Sequence, residues 1–174
     1  MSSPIYIVSS IQEKVDGAPF PDSEYCMPNV DEFFSDPDWG GASDALHYFS
    51  YGQNDNKSYK EQLKCFLALS EGEVTGWAKN SEGEKIAIVK ISKDVIEKLA
   101  KQTLKSISMM MSGMTVKEFI DIGEYKIRQT LAGDYDYLCG LNEGAYVAPY
   151  KQWFFTNQGL NDTEYYFHGI ILGH

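Results

Sequence analysis

Bases are scarce in the first third of this 174-residue chain. Residues 1–56 hold ten acids and a single base, Lys14, for a local net charge of −9. Residues 57–130 carry thirteen bases against ten acids, residues 131–174 one base against five acids, and the whole chain is at −10. That balance repels nucleic acid and anionic membrane surfaces, so no direct nucleic-acid contact is expected. Long apolar runs are also missing. None approaches the roughly 20 residues of a membrane helix, and no basic flank precedes the apolar patch Ile5–Val8, which reads as a strand and not as a signal peptide. Cysteine is sparse: Cys26, Cys65 and Cys139 are odd in number and far apart. A disulfide scaffold is therefore not expected, and a reducing, cytoplasmic setting fits the composition. The sequons at Asn56 and Asn161 read as chance.

Several chemistries lack their motifs. The chain has no G-x-G-x-x-G and no Gly-Lys pair, which excludes a Walker A loop. H-E-x-x-H and C-x-x-C are absent. Gly41-Ala-Ser43-Asp-Ala45 ends in Ala where a nucleophile elbow needs Gly. Asp36, Asp38 and Asp44 stand at positions 1, 3 and 9 of a calcium-loop pattern, with Gly41 at 6. Gly40 and His47 then occupy positions 5 and 12, where an oxygen ligand and a bidentate Glu belong. The segment reads as a solvated acidic turn, and neither metal nor cofactor is expected.

What is present is core material and local structural signals. Hydrophobic residues make up 43% of the chain, with twelve Tyr, nine Phe and three Trp, enough for one globular domain over 1–174. Ile11 to Gly41 contains Pro19, Pro21, Pro28 and Pro37, which prevent regular pairing, yet also Phe20, Tyr25, Phe33, Phe34 and Trp39, which a disordered linker would lack. A long ordered acidic loop is expected at about 11–43. Asp44–Tyr51 could be strand or helix. Ser58 opens a helix to about Leu69 with Leu63, Phe66, Leu67 and Ser70 on one face. Val74–Lys79 and Lys85–Ile91 form a hairpin through Asn80–Gly83. Ser92 caps a helix to about Ile107, which Met109–Gly113 ends. Thr115-Val-Lys-Glu118 is a capping box for a helix to about Leu131, with Met114 and Phe119 at the staple positions. Gly123 on its apolar face invites close approach by another element. Tyr135–Cys139, Ala145–Tyr150, Gln152–Thr156 and Tyr165–Leu172 are strand candidates in a terminal meander. The order predicts an α+β fold, a mostly antiparallel sheet with about three helices packed on one side.

The functional candidates follow from charge and aromatics. Asp31, Glu32, Asp36, Asp38 and Asp44 surround Phe33, Phe34 and Trp39 without a base. This segment suits a protein-binding module, of inhibitor, immunity or anti-defence type, that masks a basic surface of a partner. Acids speed encounter with a basic site, and Trp39 among glycines would supply an anchor. The chain itself is expected to be a monomer or small oligomer. The rival reading is a small enzyme acting on a nucleotide or peptide, with His47, Tyr48, Tyr51, Asn54 and Asp55 clustered in sequence. His47 within Leu46–Tyr51 reads first as a partly buried structural residue, and Cys65 as a core residue of its helix. His168 and His174 could share a strand face. Met109–Met114 reads as filler between two helices, with an adaptable binding surface as the alternative. The aromatics Trp153–Phe155 and Tyr165–Phe167 sit in an acidic context and read as core, not as a base-stacking platform.

Overall fold

A computed structural model describes residues 3–10, 49–50, 58–79, 85–132, 136–140 and 146–173. In these stretches the chain forms β1 (Ser3–Ser10), β2 (Phe49–Ser50), α1 (Tyr59–Ser70), β3 (Glu73–Lys79), β4 (Lys85–Ile91), α2 (Lys93–Ser112), α3 (Val116–Ala132), β5 (Tyr137–Gly140), β6 (Tyr146–Pro149), the single turn α4 (Tyr150–Trp153), a π-helical turn over Phe154–Gln158, and β7 (Thr163–Gly173). The fold is α+β. Its sheet runs β3-β4-β7-β1-β5-β6, with β2 also paired to β7. All pairs are antiparallel except β1 with β5, so the sheet is mixed. The long acidic loop expected at 11–43 lies outside the described residues.

Of the two central strands, β7 and β1, β1 is the more deeply buried. In β1, Ile5, Tyr6, Ile7, Val8 and Ser9 are all buried, so both of its faces are covered, as a near-continuous apolar run implies. Tyr6 pairs with Leu138 and Ile170, and Val8 with Phe167; these residues belong to the core under the helices. Leu63 and Phe66 of α1, Ile96 of α2, and Trp153 and Phe154 complete that core. Phe66 stacks on Phe167 with ring centroids 4.7 Å apart and planes nearly parallel.

The hairpin and helix starts form where the sequence places them. Ser58 Oγ accepts from Glu61 N at 3.3 Å, Ser92 Oγ from Val95 N at 3.4 Å, and Thr115 Oγ1 from Glu118 N at 3.1 Å. Each bond satisfies an orphan amide of a first turn. Three expectations need correction. Met109–Met111 do not end α2, which continues to Ser112 with Gly113 as its cap; methionine is a good helix former. Gln152–Thr156 is helical, not a strand. Trp153, Phe154 and Gln158 all turn inward, which period-two alternation cannot achieve, and the side chains of Thr156 and Asn157 bond back to the carbonyls of Gln152 and Trp153. Buried Gln158 donates to Ile91 O and Asn161 O at 2.8 Å each and accepts from the Tyr165 hydroxyl at 2.9 Å. Finally, β7 does not end a meander. It enters between β4 and β1 and joins the two halves of the sheet.

Candidate functional site

Two places in the structure depart from ordinary packing. The first is a bulge in β7. Val8 pairs with Phe167 and Ile7 with Gly169, which leaves His168 as an extra residue. Gly169 sits at φ +145°, a conformation that favours glycine, and a Cβ there would lie 3.0 Å from Gln62 Oε1. Here β7 lies past the end of its β4 pairing at Tyr166 and short of its β2 pairing at Leu172. Side chains of α1 fill the gap. The Tyr59 hydroxyl donates to Phe167 O at 2.6 Å and accepts from Ala87 N at 2.9 Å. Ile170 N donates to Gln62 Oε1 at 2.9 Å. Burial pushes the Tyr59 phenol up to about 12, with the amide of Ala87 pulling the other way.

The bulge brings His168 Nε2 within 2.7 Å of Ser9 Oγ. That is hydrogen-bond distance for a nucleophile and its base. Ser9, however, is only 1% exposed, and a nucleophile must meet its substrate. The pair therefore works as an internal bond joining β1 to the bulge. On the helix side, Tyr6 lies close to Asp136 and Cys65; burial, then the Asp136 carboxylate and Cys65, raise its phenol well above the usual range. Cys139 is fully buried, and burial likewise raises its thiol.

The second place is α3. Val116, Phe119, Ile120, Gly123 and Ile127 recur at helical spacing and form one apolar stripe. Phe119, Ile122 and Tyr125 form an adjoining row three residues apart. In most helices such a stripe faces the core. Here α2 and α3 meet at Met110 and Thr130, near the far end of α3, where the Thr130 hydroxyl lies 3.6 Å from Met110 Sδ. The first turns of α3 extend beyond that contact, and residues 116–122 are all exposed. Val116 is 78% exposed, Ile120 74% and Phe119 51%. The residues around this surface, among them Phe119, Ile122 and Tyr125, belong to α3 itself, so the region is an open helix face and not an enclosed cleft. The close approach expected at Gly123 comes from its own helix: the Phe119 ring lies where a Cβ would be, 2.7 Å away at Cδ2. Of the methionines, Met110 packs between the two helices as filler would, whereas Met109 and Met111 are exposed at the end of α2. Polar residues of α3 are paired locally, with Arg128 Nη2 on Glu124 Oε1 at 2.7 Å and Gln129 Nε2 donating to the Tyr125 hydroxyl at 2.7 Å.

The residues singled out from charge, Asp31, Glu32, Asp36, Asp38, Trp39 and Asp44, lie outside the described residues. So do His47, Tyr48, Tyr51, Asn54, Asp55 and His174; between them only Phe49–Ser50 is described, as β2. The α3 stripe was visible in sequence as a periodic pattern. Periodicity tells which side of a helix is apolar, but not what that side meets. The Ser9–His168 contact had no local signal, because a bulge 159 positions away creates it. No helix among the described residues is long and apolar enough to cross a membrane, and no group of three potential metal ligands occurs among them. Compared with protein-family models, curated proteins and solved structures, the chain matches none of them.

Proposed function

We propose that this chain is a protein-binding module and that the exposed apolar stripe of α3 is a surface it uses. The observation that carries this reading is the exposure of Val116, Phe119 and Ile120 on one side of a regular, capped helix. Soluble proteins seldom leave a contiguous apolar patch open unless it binds something. Covering each such side chain stabilises the covered state by roughly 1.5–3 kcal/mol before the cost of association. Val116, Phe119 and Ile120 stand at i, i+3 and i+4, the spacing of anchors on a helix that lies in a partner's groove. The charge distribution supports a finer reading, that of an inhibitor, immunity or anti-defence protein that masks a basic surface. With ten acids against one base in residues 1–56, encounter with a basic partner would be accelerated.

The test is photo-cross-linking. A benzoylphenylalanine at position 120, irradiated in extracts of the producing cells, is expected to give a discrete protein adduct that the same group at position 118, on the other side of α3, does not give. Equal labelling from both positions would remove α3 as the surface. An adduct yield that falls as salt rises supports the basic partner. A salt-independent yield removes that part of the reading.

A further inference from the structure

We draw no further inference here: the strongest candidate, the exposed apolar face over the first turns of α3 around Val116, Phe119 and Ile120, belongs to the surface already described, and nothing in the structure shows what covers it.

Discussion

Tyr59 shows how much a single side chain can hold. Its hydroxyl lies in the fork where β4 and β7 part, and it satisfies one backbone group from each strand. Tyr59→Phe keeps the ring and leaves Phe167 O and Ala87 N unpaired in a partly buried site. Each such group costs about 1–3 kcal/mol, so denaturant melts should show a loss of at least that size. The pH dependence has a definite sign. Burial, opposed in part by the Ala87 amide, holds the folded phenol up to about 12, against an ordinary value of 10.0. Above pH 10 the unfolded chain releases this proton while the folded chain retains it, so stability falls as pH rises toward 12. The contribution is complete below pH 10 and lost through the folded value, on the order of 2 kcal/mol in all. Melts of the parent between pH 9 and 12 should fall more steeply than those of Tyr59→Phe; parallel curves would contradict this.

Among the elements, helix caps are the features best expressed in sequence. Thr115 Oγ1 holds the amide of Glu118, and Thr115→Ala is expected to cost about 0.5–2 kcal/mol in a denaturant melt. An unchanged midpoint would mean that α3 begins without this cap. Caps, turns and helical stripes depend on residues within a few positions of one another, which is why α1, the β3–β4 hairpin and the starts of α2 and α3 could be read directly. The segment Gln152–Thr156 could not. Its aromatic content resembles a strand, and only burial of Trp153, Phe154 and Gln158 on one side selects a helix. The parallel pairing of β1 with β5 and the central place of β7 depend on contacts more than a hundred residues apart, and no local pattern encodes them. The candidate surface on α3 was half legible: its stripe could be read, its exposure could not. The acids from Asp31 to Asp44 remain a sequence-based proposal.

At the scale of the molecule, cohesion comes from a shared core. Cys139 is buried within β5 and Cys65 lies on α1, and both are free thiols. The melting temperature is therefore expected to be the same with and without dithiothreitol or EDTA; a marked drop with either would reveal a cross-link or an ion that the fold depends on. The sheet itself is held by one strand. Among the described strands, β7 alone connects β3 and β4 to β1, β5 and β6. β1 starts at Ser3 and its partner β7 at Thr163, and a ribosome adding about 5–20 residues per second needs roughly 8–30 s to travel between them. Throughout that interval the nascent chain carries an apolar strand without its main neighbour, and among the described strands none yet links β4 to β1. Completion is necessarily late, and the growing chain is a natural client for chaperones that shield bare strand edges.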